Sequence, residues 1–304
     1  MSEPPNDLTY YNRPLLKESV WSIDIPLYYF LGGSAGAAMT LAAALQLASE
    51  KGQSDLRRVS AVCHWTGIVG STLGAVFLVH DLGRPERFLY MMRVFRPTSP
   101  MNMGVWILSG AAPASIAAGL LANRRGILGA VGEACGYVAG VFGAALAGYT
   151  GVLVSTTAIP VWQAARRWMP VLFLASSASS AAGLIETFAE SEAARKVTRV
   201  FGTAGRVAEL AAAHQVERAA SAVPRVGQPL REGATSILWR GATLLTAASL
   251  AASLLPGKSR TRRVAAGVLA MAGSLCLRLA VHYVGDASAR DARASFQQQR
   301  AGEA

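Results

Sequence analysis

Charge is what this chain has least of. Asp, Glu, Lys and Arg make up 15% of its 304 residues, against roughly 25% in ordinary soluble domains. That leaves too little charge to coat a water-facing surface. Cysteine is scarce as well: Cys63, Cys135 and Cys276 stand singly and far apart. With no C-x-x-C and no Cys/His cluster, no zinc or iron–sulfur site is expected within this chain, and there is no disulfide framework. The first 25 residues lack an apolar core followed by a small-residue cleavage site, so no signal peptide is expected and the first span acts as its own insertion signal. No predicted strand precedes the glycines at 32, 33 and 36, which removes the context of a nucleotide-binding loop. The net charge of +11 forms no stripe or arm. Its Lys and Arg sit in short runs between apolar segments, which argues against nucleic acid and for loops between membrane spans.

What is abundant is long apolar sequence. Runs near the roughly 20 residues that cross a bilayer cover Ile25–Leu47, Val59–Val79, Met103–Leu121, Val131–Thr157, Pro170–Ala189, Ala234–Leu255 and Val264–Val284. Trp106, Trp162 and Trp168 lie near span ends, where an interfacial belt places them. Gly32 and Gly36 form a small-xxx-small pair suited to close helix packing. Residues 201–222 are helical in pattern but carry Arg206, Glu209, His214, Glu217 and Arg218. They form either an amphipathic surface helix or a weakly apolar span with its polar face against the bundle. The expected fold is an all-α integral membrane protein: eight transmembrane helices, seven clear and one weakly apolar, in two four-helix halves. An extramembrane arm (1–24) precedes the bundle (25–284), and a polar, exposed tail (285–304) follows it. With eight spans both termini share one side, and Lys plus Arg are almost equally divided between the two sides, so charge does not orient the chain.

Val79-His80-Asp81-Leu82-Gly83-Arg84-Pro85 is the most informative stretch. Apolar sequence gives way there to an imidazole, a carboxylate and a guanidinium at the hydrocarbon boundary, where ionisable groups are functional candidates by default. Asp81 and Arg84 either serve chemistry or form a salt bridge that ends the helix. The segment after it, to Arg96-Pro97, fits an amphipathic interfacial helix. Eight spans place Asp24, His80, Asp81, Tyr149 and His282 toward one side, with Trp21, Tyr28 and Trp162 at the same level. Carboxylates, imidazoles, a phenol and indoles around one pocket suit a quinone, whose ring stacks on aromatics and whose carbonyls need donors and protons. Tyr149 is otherwise a core tyrosine. Arg278 pairs either with Glu186 or with helix carbonyls. A rival chemistry is haem b held by His80 and His282; a secondary transporter is a second rival, but no internal sequence repeat supports it.

Several stretches resemble the NrfD/PsrC family of polysulfide reductase-type membrane subunits. They are Asp81-Leu82-Gly83-Arg84-Pro85; the run Phe95-Arg96-Pro97-Thr98-Ser99-Pro100-Met101-Asn102-Met103-Gly104-Val105-Trp106; Tyr28 to Gly36; and Tyr149-Thr150-Gly151-Val152-Leu153 with Pro160 and Trp162. The resemblance implies a quinone-binding subunit of the bacterial inner membrane and respiratory chain. It would exchange electrons between menaquinone or ubiquinone and a ferredoxin-like four-cluster iron–sulfur subunit, itself joined to a molybdopterin-type catalytic subunit. No haem or iron–sulfur cluster is expected in the chain itself. Asp81 and Tyr149 match the family's quinone-site positions. Arg84 is expected to orient or tune Asp81, with Asp24, Tyr28, His80 and Trp162 around the bound ring and Arg93 and Arg96 on a docking surface.

Overall fold

The structure, a computed structural model, describes residue 16 and residues 19–48, 54–121, 124–255 and 259–302. The segment 1–24 therefore lies for the most part outside the described residues. Apolar runs without charges become helices because a backbone in hydrocarbon has to satisfy its polar groups internally. Seven helices are long and apolar enough to cross a membrane: α1 (Asp24–Ala48), α2 (Ser54–Asp81), α4 (Pro100–Leu121), α5 (Ile127–Ser155), α7 (Met169–Glu186), α10 (Gly233–Leu254) and α11 (Arg260–Arg290). Short helices α3 (Glu86–Met91), α6 (Pro160–Ala164), α9 (Pro224–Arg231) and α12 (Ala292–Gly302) lie outside them, and α8 (Glu192–Ser221) completes the set.

The spans form two rings of four. In the first, α1 packs on α2, α2 on α4, α4 on α5 and α5 on α1; in the second, α7, α8, α10 and α11 repeat the pattern. The halves join where α7 meets α1 and α5 and where α11 meets α1. At Gly36 a Cβ would overlap the Gly143 carbonyl, so the α1–α5 contact depends on a side chain being absent there. The chain alternates between a proximal face, with the start of α1 and the end of α11, and a distal face. Large apolar side chains remain exposed along the spans, among them Trp65, Val69 and Val76 on α2, Val141 on α5 and Leu244 on α10. A multi-pass integral membrane protein explains this surface; water does not.

Helix α8 resolves the ambiguity over 201–222. It lies antiparallel along α7, with Gly202 against Ala182 and Gly205 against Ala178 and Ser179. Its charged Arg206 and Glu209 are buried, whereas Val200, Ala204, Val207 and Ala211 are exposed. The charges Lys196 and Arg199, and His214 and Arg218, become exposed only beyond that stretch. Polar inside and apolar outside is the reverse of a soluble surface helix, and identifies α8 as the eighth span.

Two expectations need correction. The tail from Gly285 is helical and only partly exposed: α11 continues to Arg290, and α12 packs on α6 and α9 with Ala292 and Ala294 buried, while Arg293, Gln297, Gln299 and Arg300 are exposed. Two of its carboxylates have partners, Ser19 donating to Asp286 (2.6 Å) and Arg225 to Asp291 (3.4 Å). The interfacial helix after the second span is only Glu86–Met91. The Asn102 amide captures the Met91 and Val94 carbonyls, at 2.6 and 2.9 Å, which would otherwise accept bonds from a continuing helix.

Candidate functional site

Helix α2 stops at Asp81 because Gly83 takes a left-handed φ of 65°, open to glycine at little cost, and Pro85 cannot continue a helix. This leaves Asp81 at the proximal face, beside the chain entering α1. There Ser22 donates its backbone N–H (2.8 Å) and its hydroxyl (2.7 Å) to Asp81 Oδ1. The same hydroxyl is 3.1 Å from Asp24 Oδ2, and that oxygen is 2.6 Å from Nδ1 of His80. The His80 side chain is 78% exposed. A continuous polar row, Asp81–Ser22–Asp24–His80, thus leads from the end of α2 to solvent.

Asp81 lines a narrow cleft of about 30 Å³ between α1, α2, α4 and α5, together with Trp21, Tyr28, Tyr29, Met101 and Tyr149. The hydroxyls of Tyr28 and Tyr29 are buried and have no hydrogen-bond partner among the described residues. Two buried donors left open are costly unless something else fills them. The Tyr149 ring lies against Gly104, where a Cβ would overlap it. The run Arg96–Trp106 thus acquires separate physical roles. Asn102 pins the loop, also accepting from the Arg96 N–H at 2.7 Å; Gly104 leaves room for Tyr149; Trp106 meets Phe95 edge-on at 5.8 Å.

Behind the cleft, aromatic rings run into the bundle. Trp21 stacks on Trp162 at 5.9 Å, and Tyr29 contacts both Trp21 (6.4 Å) and Phe173 (5.8 Å). Over Phe173 sits the guanidinium of Arg278, 4.0 Å from the ring centroid, bonded to the Phe173 carbonyl and Ser177 Oγ at 2.9 Å each. Deeper still are Glu209, accepting from Thr246 at 3.3 Å, and the buried pair Arg206–Glu186 at 3.1 Å.

Of the predicted site residues, the structure brings Asp81, Tyr28 and Tyr149 into one cleft and joins Asp24 and His80 to Asp81 through Ser22. Trp162 is separate: fully buried, it donates Nε1–H to the Val281 carbonyl (2.9 Å) and supports Trp21 from behind. Arg84 is exposed, does not line the cleft, and no ion pair joins it to Asp81. Glu186 pairs with Arg206 rather than Arg278, because Glu186 ends α7 at the distal face while Arg278 meets α7 near Phe173. For haem ligation His80 is poorly placed, engaged by Asp24 at the surface; His282 is buried with Nε2 3.6 Å from Asp286. His64 is buried, and Glu133 and His214 are exposed. Among the described residues no cluster of three or more His, Cys, Asp or Glu side chains could hold a metal ion.

Sequence reasoning missed Ser22, Tyr29, Asn102 and Gly104. Asn102 and Gly104 carried a signal as members of the Arg96–Trp106 run, and Tyr29 as a member of the Tyr28–Gly36 stretch; Ser22 carried none. A family model described as polysulphide reductase, NrfD, matches residues 13–288, which include every residue of the cleft. No curated protein matches the chain.

Proposed function

The chain belongs to the NrfD family, membrane subunits of redox complexes, and from that premise we propose that its proximal cleft binds a quinone. Electrons pass between that quinone and an iron–sulfur partner docked on the same face. The observation that carries this reading is the pair of buried, unpartnered Tyr28 and Tyr29 hydroxyls beside a carboxylate and a third phenol. A quinone carbonyl is a hydrogen-bond acceptor for such donors, and its ring suits the stacked indole and phenol faces. The cleft is narrow, and its rim contains the flexible Met91 and Met101, side chains that readjust to admit a ring.

Quinone interconverts with quinol by two electrons and two protons, so the site needs a proton route as well as an electron route. Asp81, held ready as an acceptor by two Ser22 bonds, takes the two quinol protons one after the other. Ser22 receives each while passing its own proton to Asp24, and His80 carries it to water; quinone reduction runs the same row in reverse. The electrons leave for the partner's cluster. Arg84, Arg87, Arg93 and Arg96 are exposed beside the cleft, interspersed with exposed Leu89, Tyr90 and Phe95. That surface fits the acidic side of a ferredoxin-like four-cluster subunit, which joins the chain to a molybdopterin-type catalytic subunit.

The test is quinone-linked turnover of the assembled complex with Asp81→Asn and Tyr149→Phe, alongside binding of a photoactivatable quinone to the purified chain. Asp81→Asn should lower turnover by roughly 10²-fold or more while leaving assembly intact. Unchanged turnover in both variants, with no labelling of α1, α2 or α5, would sink the proposal.

A further inference from the structure

The distal face carries a second cleft, independent of the quinone reading. It opens between α8, α10 and α11 at the end of α7, with a volume of about 330 Å³. Arg195, Lys196, Arg199, Arg262 and Arg263 line it, against the carboxylates Glu186 and Glu192. Glu186 is already engaged by buried Arg206, which leaves the cleft strongly cationic. Arg199 is held in place by a bond to the Ser253 carbonyl (2.8 Å) that leaves its charge uncompensated. Arg263 Nε is buried and finds no partner among the described residues. Helices α8 and α11 both begin here, at Glu192 and Arg260, and turn the positive ends of their dipoles the same way.

The rest of the wall is apolar. Val200, Ala252 and Ala266 line the cleft. Val200 is 63% exposed, and one and two turns further along α8 come exposed Ala204 and Val207. The cationic floor therefore continues directly into an apolar stripe that faces hydrocarbon. A soluble anion uses only the floor; an acyl chain uses the stripe as well. We propose that this cleft holds the headgroup of an anionic phospholipid, its phosphate among Arg195, Lys196 and Arg263 and an acyl chain along Val200, Ala204 and Val207.

The full chain, purified in a neutral detergent, is titrated with dioleoyl phosphatidylglycerol, dioleoyl phosphatidylcholine or inorganic phosphate while its thermal unfolding is followed. Phosphatidylglycerol should raise Tm to a plateau, and the other two should leave it unmoved. Lys196→Gln, at an exposed position, should raise the half-saturating phosphatidylglycerol concentration about fivefold, and Lys196→Gln with Arg263→Gln at least about tenfold. The charge-keeping pair Lys196→Arg with Arg263→Lys should restore it. Stabilisation by phosphatidylcholine or phosphate equal to that by phosphatidylglycerol overturns the proposal. So does a Lys196→Gln chain, folded by circular dichroism, whose response to phosphatidylglycerol is undiminished.

Discussion

Ser22 and Asp81 lie 59 residues apart, yet the serine gives both of its donors to a single carboxylate oxygen of the aspartate. One bond fixes the carboxylate; the other, through a hydroxyl that also reaches Asp24, connects it. Ser22→Ala keeps the backbone bond and removes only the connection. Turnover with quinone should fall about 10-fold to 10²-fold with quinone labelling unchanged, and the solvent deuterium isotope effect on turnover should rise. Loss of labelling in step with turnover would mean that Ser22 shapes the cleft rather than moving a proton.

Gly104→Ala places a methyl group where the Tyr149 ring now lies. Overpacking of this kind costs roughly 1–3 kcal/mol, so the purified chain should melt several degrees earlier. Adding Tyr149→Ala should recover most of that loss without recovering turnover. Stability that is not recovered in the double variant would place the clash elsewhere.

Asn102 makes three bonds to the backbone of the α3–α4 segment, at Met91, Val94 and Arg96. Asn102→Ala leaves those groups without it, at about 1 kcal/mol each. Limited proteolysis should then cut between residues 92 and 99 at least several-fold faster, while the spans stay protected. The arginine surface beside the cleft is carried by that segment, so copurification of the iron–sulfur subunit should weaken too.

Much of this architecture was legible in the sequence, for a simple reason. Spans bounded by charges stand out because hydrocarbon tolerates almost nothing else, and α1, α2, α4, α5, α7 and α10 fall within a few residues of the apolar runs that predict them, as does the start of α11. Asp81 stood out as a charge at a boundary, and Tyr149 through its motif. The remainder depends on long-range placement. Ser22 looks like any serine until the fold sets it against Asp81, and nothing in the stretch around Tyr29 says that its hydroxyl is left without a partner among the described residues. The end of α11 and all of α12 read as a polar tail because Ser288 and Asp291 find partners on α6 and α9, which no local pattern records. Helix α8 was ambiguous because hydropathy averages around a helix, whereas burial divides it into two faces.

The Arg206–Glu186 pair should behave as a unit. Removing one member of a buried pair leaves an uncompensated charge, at about 3–5 kcal/mol. Glu186→Leu or Arg206→Met alone should therefore markedly lower the unfolding midpoint in a denaturing detergent. Both together should destabilise by much less than the sum, with a coupling energy of at least about 1 kcal/mol. Additive losses would show the two residues to be independent.

The inverted polarity of α8 also bears on how the protein is made. On its own, a helix with Arg206 and Glu209 at mid-depth leaves the translocon at a cost of about 2.5–3.5 kcal/mol for each charge placed near its centre. Glu186, the counter-ion for Arg206, was synthesised twenty residues earlier at the end of α7. The two helices therefore have to enter the bilayer together, as a hairpin already paired. A ribosome stalled after α7 but before Arg206 would leave a span whose terminal glutamate still awaits its arginine.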